Sequence, residues 1–247
     1  CAVRFHNEIR TKIILMKGHQ LRREIKFVAR EIQYPHILRW IRLHSAGFRK
    51  PYPDRWVNNV YYDTYDYHSY TGNLSGESFR SKIRFRWYGS LSMIKSGSLE
   101  IKMKKNSFGW KINRAISSLS TLQDQTWKNI TMKISEQLPG KYKQLFLSHP
   151  MPTIINRYSR EYFVSSDNKV RITIDRKQSV FDQRYKPVAN ILTRSFLPEN
   201  IVVEVKFDRD NYDIAKKVIH GMPIRSSRNS KYMNSVNAVT GNSILFP

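Results

Sequence analysis

The 247-residue chain carries 43 Lys and Arg against 19 Asp and Glu, a formal net charge of +24. With 40% apolar and 13% aromatic residues it is not a disordered polycation, and so large an excess self-repels in a compact state unless an anionic partner relieves it. The single cysteine, Cys1, excludes an intramolecular disulfide and a multi-Cys metal site, and no apolar run approaches the roughly 20 residues of a membrane span.

One cysteine fits a reducing compartment, so a cytoplasmic location is expected. The chain starts at Cys1 rather than Met and is expected to be part of a longer protein. Any membrane segment or partner of that parent would place the domain at the cytoplasmic face of a membrane.

Residues 1–20 are basic and weakly patterned and are expected to form an N-terminal arm. Period-two alternation begins at Leu21 and predicts a first strand over 21–29. Residues 31–46 read as a helix, with Ile37, Leu38, Ile41 and His44 on one face and Pro35 tolerated in the first turns. Strands follow at 57–64, 79–88, 97–105 and 109–117, with a polar loop at 65–78 marked by Thr71-Gly72-Asn73 and Ser75-Gly76. Leu122, Trp127, Ile130, Ile134 and Leu138 recur at helical spacing over 121–138, and 140–148 adds a short helix. Strands at 153–165 and 168–176 precede a long connection at 183–199, and the last strand is 200–208. A helix at 210–220 opens on Asp210 as N-cap and closes at Gly221 and Pro223. No repeat or linker divides the chain, so one domain is expected over 21–236, with a frayed tail at 237–247.

The strands share an unusual pattern. In a strand, alternate residues lie on one face. Arg80, Lys82, Arg84 and Arg86 therefore share a face, opposite Ser81, Ile83, Phe85 and Trp87. Same-face neighbours lie about 7 Å apart, so each like-charge pair costs about 2 kcal/mol at an effective dielectric near 20. Parity alone therefore predicts that removing Arg84 and Arg86 leaves the fold intact or more stable. The alternation recurs: Glu24 and Lys26 oppose Ile25 and Phe27, and Glu100, Lys102 and Lys104 oppose Leu99, Ile101 and Met103. Tyr158 and Arg160 share a parity, Arg171 and Asp175 oppose Ile172 and Ile174, and Glu204 and Lys206 oppose Val203 and Val205. Two architectures satisfy the pattern. One is a sheet with a wet outer face. The other is a barrel whose apolar faces meet helices outside while its charged faces enclose a polyanion.

Motif order bears on the choice. Glu24-Ile25-Lys26 is followed by Val60-Tyr61-Tyr62-Asp63-Thr64, Arg84-Phe85-Arg86-Trp87-Tyr88-Gly89 and Leu99-Glu100-Ile101-Lys102, with Lys111 next. Then come Arg157-Tyr158-Ser159-Arg160, Val170-Arg171-Ile172-Thr173-Ile174-Asp175, Val203-Glu204-Val205-Lys206 and Ser230-Lys231-Tyr232. This succession resembles the VTC domain, the polyphosphate polymerase domain of the vacuolar transporter chaperone complex, in its bacterial form. That domain belongs to the triphosphate tunnel metalloenzymes, with the CYTH phosphatases and RNA triphosphatases.

The resemblance implies an α+β fold: an eight-stranded antiparallel β-barrel, a triphosphate tunnel with a basic lumen and helices packed outside. It implies transfer of the γ-phosphate of ATP, or of another nucleoside triphosphate, onto polyphosphate, with Mn²⁺ or Mg²⁺ as cofactor. Inorganic triphosphate and pyrophosphate are further expected ligands, and no specific nucleic acid is expected. Carried over by position, Lys26, Arg84, Arg86, Lys102, Lys111, Arg160, Arg171 and Lys231 are the phosphate-binding cations of the reaction. Tyr158, Arg228, Ser230, Lys104 and Lys206 line the substrate. Glu204, with Glu24 and Glu100, is the expected metal set; Glu24 and Glu100 also suit plain counter-charges. Phosphoryl transfer asks for these residue types, because it needs positioning and charge neutralisation rather than covalent help.

The sequence departs from the pattern in three places. Hydrolytic relatives open with Glu-x-Glu-x-Lys, and Arg22 stands at the first Glu. Arg228 stands where Lys is usual, and Lys104 where the eukaryotic polymerases tend to have His. The missing carboxylate weakens a hydrolase reading. Hydrolysis by the same fold and a non-catalytic polyphosphate- or nucleotide-binding module are the alternatives.

Overall fold

Each of the eight alternating segments forms a strand in the computed structural model, which describes residues 22–106 and 108–241. They are β1 (Arg22–Arg30), β2 (Arg55–Asp63), β3 (Phe79–Tyr88), β4 (Gly97–Lys105), β5 (Phe108–Ile116), β6 (Met151–Val164), β7 (Val170–Asp182) and β8 (Asn200–Asp208). All neighbours pair antiparallel in one sheet of order β1-β8-β7-β6-β2-β3-β4-β5. The sheet curls: Lys102 of β4 interacts electrostatically with Glu24 of β1 and Glu204 of β8, far from it in the strand order. Among the described residues no ladder joins β1 to β5. The expected barrel is therefore a half-barrel whose edges face each other across charged side chains.

Among the described residues six α-helices accompany it: α1 (Tyr34–Leu43), α2 (His68–Leu74), α3 (Trp127–Glu136), α4 (Gly140–Leu147), α5 (Tyr212–Ile219) and α6 (Lys231–Thr240). Four lie inside the predicted helical stretches. On one flank α3 and α4 bury Trp127, Ile130, Ile134 and Phe146 against Phe85, Trp87, Leu99 and Ile101. On the other, α1 and α5 bury Ile37, Ile41, Ala215 and Val218 against Phe27, Ile172, Val203 and Val205. The apolar strand faces thus point outward under helices, which settles the choice between the two architectures in favour of a charged interior. No helix among the described residues is long and apolar enough to cross a membrane.

Four local expectations need correction. The polar loop at 65–78 contains α2, which lacks an apolar stripe. It is held instead by the Asp63 carboxylate, which accepts from the backbone N–H groups of Ser69 at 2.8 Å and Tyr70 at 3.1 Å. Asp210 is not an N-cap but lies in a 3-10 turn, Arg209–Asn211, ahead of α5. β7 runs on to Asp182 because Lys177, at φ 52°, forms a bulge that resets the parity the sequence pattern follows. Residues 231–240 form α6, so the expected tail begins inside a helix. That helix buries Ser235 and Asn237 beside Tyr232, Met233 and Val236, which breaks up its apolar stripe. The expected arm at 1–20 and the last six residues of the tail lie outside the described residues.

Candidate active site

Strand register carries the charged side chains into rungs on the inner face. Arg80 pairs with Lys104, Lys82 with Lys102 and Arg84 with Glu100 across β3 and β4. Lys102 pairs with Lys111 across β4 and β5. Glu24 meets Lys206 and Lys26 meets Glu204 across β1 and β8. Arg171 meets Lys206 across β7 and β8, and Arg160 meets Asp175 across β6 and β7. Gly97 lets β4 approach closely, since a Cβ there would lie 2.3 Å from the Arg86 carbonyl oxygen.

Two carboxylate centres organise these cations. In the first, Glu100 accepts from Arg84 Nε at 2.8 Å and Nη2 at 2.5 Å, and pairs with Lys111 at 3.0 Å and Arg86 at 3.6 Å. Burial would raise the Glu100 carboxyl, but Arg84, Arg86 and Lys111 together pull it down to about 2. Arg84 Nη1 also donates to the Tyr61 hydroxyl at 3.0 Å. Arg86 donates to Asn59 Oδ1 at 2.8 Å and to the Tyr158 hydroxyl at 3.3 Å. Glu100 is thereby surrounded by cations it holds in place.

The second centre is acidic on both sides of Arg160. Asp175, fully buried, accepts from Arg160 through both oxygens at 2.6 and 2.7 Å and pairs with Lys231 at 2.6 Å. Glu204 pairs with Lys206 at 2.6 Å, Lys231 at 3.4 Å, Arg160 at 3.6 Å and Lys26 at 3.9 Å. Glu24 pairs with Lys26 at 3.1 Å and Lys206 at 3.7 Å. Burial opposes ionisation of Glu204, yet Lys231, Lys206, Arg160 and Lys26 hold its carboxyl well below the usual range. The Tyr158 ring lies beside the Arg160 guanidinium at 5.3 Å and the Lys231 ammonium at 5.0 Å.

Between the centres lies a stretch with no such compensation. Lys82 donates to Ser230 Oγ at 3.0 Å, the N-cap of α6. Burial and then Lys102, Lys26, Arg80 and Arg84 push the Lys82 ammonium down to about 8. Lys102 is lowered too, chiefly by burial, with Lys26 and Arg84 acting in the same direction against Glu24 and Glu204. A helix N-terminus and several crowded ammonium groups thus face one volume, the electrostatics of a polyanion seat.

The model of the VTC domain matches residues 21–240. The chain belongs to the VTC domain family. No curated protein matches the chain. Among solved structures, a proposed adenylyl cyclase from Hippeastrum, described as having a dominant triphosphatase activity, is similar at 12% identity and TM-score 0.50, over 88% of this chain and 95% of that one. A Pyrococcus horikoshii OT3 protein is similar at 12% identity and TM-score 0.43, over 86% of this chain and 97% of that one. A proposed adenylate cyclase from Vibrio parahaemolyticus is similar at 9% identity and TM-score 0.45, over 87% and 97%. The first likeness supports the fold of this VTC domain, a triphosphate tunnel.

Most site residues expected from the sequence converge on the tunnel of the VTC domain. Lys26, Arg84, Arg86, Lys102, Lys111, Arg160, Lys231, Tyr158, Ser230, Lys206, Glu24, Glu100 and Glu204 make the contacts just described. Arg171, Arg228 and Lys104 are exposed and stand outside the ion-pair network. Two residues of the site were not among the expected ones. Lys82 shares the parity of Arg84 and Arg86, a sufficient signal. Asp175 shares the parity of Arg171, but its place as counter-ion to Arg160 and Lys231 depends on register across strands.

Triphosphate tunnel enzymes depend in general on a divalent cation. Of the three carboxylates expected for it, Glu100 is taken up by Arg84, Arg86 and Lys111, so Glu24 and Glu204, which interact with each other, would hold one. Beside Glu204 the buried Thr173 hydroxyl has no hydrogen-bond partner among the described residues. Among the described residues no group of three or more His, Cys, Asp or Glu could hold a metal alone. This donor set fits Mg²⁺ or Mn²⁺, which keep water and phosphate oxygens as ligands.

The state of Lys82 gives a test. An ammonium near 8 is charged at pH 7 and progressively neutral at pH 9, while a bound polyanion raises its value. Affinity for triphosphate is therefore expected to fall as pH rises through 8, by up to about tenfold per unit, and Lys82→Met should flatten that part of the profile. Equal slopes in the two proteins, measured by calorimetry from pH 7 to 9.5, would remove Lys82 from the seat.

Proposed function

We propose that this VTC domain transfers the γ-phosphate of ATP, or of another nucleoside triphosphate, to the end of a polyphosphate chain held in the tunnel. One observation supports the choice of transfer over hydrolysis: among the described residues the four carboxylates of the interior are engaged by cations, and Lys82, lowered to about 8, is still mainly an ammonium at pH 7. Glu24, Glu100, Asp175 and Glu204 are each paired with cations and each held below its ordinary value. A water nucleophile gains from a group that takes its proton. A terminal phosphate oxygen of polyphosphate is already anionic and needs none.

In the proposed step that oxygen attacks the γ-phosphorus, the bond from phosphorus to the β–γ bridging oxygen breaks, and ADP leaves with the electron pair. Arg84 and Arg86 grip equatorial oxygens, and Lys82, Lys102 and Lys26 neutralise the chain along its length. Lys231 and Arg160, anchored by Asp175, present charge without rotamer freedom. Glu24 and Glu204 would hold a divalent cation, which when bound would supply neutralisation of the charge that builds up on transfer. Nothing in the alternating inner face supplies base readout, so nucleic acid is not the expected partner.

Incubating the purified protein with ATP and Mn²⁺ and resolving the products by chain length tests the proposal. A ladder of polyphosphates is expected. Release of ADP and orthophosphate alone would assign hydrolysis to the same tunnel.

A further inference from the structure

One mouth of the tunnel is built differently from its interior. Arg55, at the start of β2, lies opposite Arg160 in register and on the inward parity of Asn59 and Tyr61. Tyr88 and Tyr162 stand two residues beyond Arg86 and Arg160, on the same inner faces. Two strand residues advance roughly 6–7 Å, so these rings come next along the tunnel after the innermost guanidinium groups. The Arg55 guanidinium lies 5.2, 5.5 and 5.0 Å from the ring centroids of Tyr52, Tyr88 and Tyr162. Tyr52 meets Tyr162 edge-on at 5.9 Å.

Ordinary packing does not account for this cluster. Tyr52 is 55% and Tyr88 49% exposed, and neither belongs to an apolar core. The other end of the tunnel is different, because α6 fills it. Tyr232 stacks on Tyr61 at 5.0 Å and donates to Asp63, at the far end of β2 from Arg55. The open mouth therefore carries ring faces and a planar cation, where the interior carries ammonium groups. A phosphate chain makes no use of ring faces. A nucleobase does, by stacking on tyrosine and on the guanidinium plane.

We propose that this mouth is the nucleoside subsite of the phosphate donor: the base stacks on Tyr52, Arg55 and Tyr88 while the phosphates run inward past Arg86 and Arg160. The inference rests on the triphosphate tunnel reading and adds the orientation of the donor. It makes the purine triphosphates better donors than the pyrimidine ones, since the larger ring covers more of the platform.

The test compares two ligands in the presence of Mg²⁺, the non-hydrolysable imido analogues of ATP and of inorganic triphosphate. Tyr88→Ala and Tyr52→Ala alter no charge and lie at exposed positions. Each is expected to weaken the ATP analogue about tenfold and to leave the triphosphate analogue within twofold of wild type. Tyr88→Phe should restore wild-type affinity. If both ligands weaken together, or neither changes, the base subsite is wrong while the tunnel stands. If wild-type protein binds neither ligand, the tunnel reading fails and takes the subsite with it.

Discussion

Replacing Arg84 and Arg86 together by Ala will abolish measurable triphosphate binding and will also destabilise the protein. Charged hydrogen bonds contribute about 1.5–3 kcal/mol each, so losing two such grips weakens binding by roughly 10²–10⁴-fold. Stability is the less obvious half. Strand parity alone predicts relief, because four cations in a row repel. The register shows what parity cannot: Glu100 is buried, and Arg84 and Arg86 are two of its three cationic partners. Removing one side of a buried pair costs about 3–5 kcal/mol, whereas the relieved repulsion is screened by water in the open tunnel.

The acid behaviour of Glu100 supplies the same sign. Its folded value of about 2 lies below the ordinary 4.5, so its contribution is fully present above 4.5 and is lost as pH falls towards 2. A net loss of a few kcal/mol is therefore expected by urea denaturation at pH 7. Adding Glu100→Gln should recover most of that stability and none of the binding. A double variant as stable as wild type would show that Lys111 alone compensates Glu100. Triphosphate binding by the triple variant would show that these arginines are not the seat.

The contrast between parity and register also marks how much the sequence could tell. Alternation is local, and it located all eight strands and the face on which Arg84, Lys102 and Glu204 lie. The motif succession supplied the tunnel, because Glu24-Ile25-Lys26 and Val203-Glu204-Val205-Lys206 become neighbours only when β1 pairs with β8. Pairings that depend on which strand lies next to which were not legible. Asp175 holding Arg160 and Lys231 is one case, and the open seam between β1 and β5 is another. The helix α2 depends on a carboxylate from the preceding strand end, and α6 buries polar residues, so neither carries an amphipathic signature. At the tunnel mouth, Tyr88 and Tyr162 sit in plain alternation, yet their convergence on Arg55 needs the curl of the sheet.

Glu204→Gln is expected to lower metal-dependent turnover by roughly 10³-fold while leaving binding of triphosphate in EDTA unchanged or tighter. The two halves follow from one charge. In the wild-type protein the Glu204 carboxylate is shared by Lys206, Lys231, Arg160 and Lys26. Gln keeps the shape and a hydrogen-bond acceptor but removes the negative charge, so the seat becomes more attractive to polyanion. The fold should survive, because each of the four cations keeps a second carboxylate. Asp175 retains Arg160 and Lys231, and Glu24 retains Lys26 and Lys206. A divalent ion has no such substitute, since the donor set beside Glu204 reduces to Glu24 and neutral oxygens. Product formation and equilibrium binding must therefore move apart in this variant. Parallel loss of both would make Glu204 a structural counter-ion for the basic tunnel, and unchanged turnover would take it out of the metal set altogether.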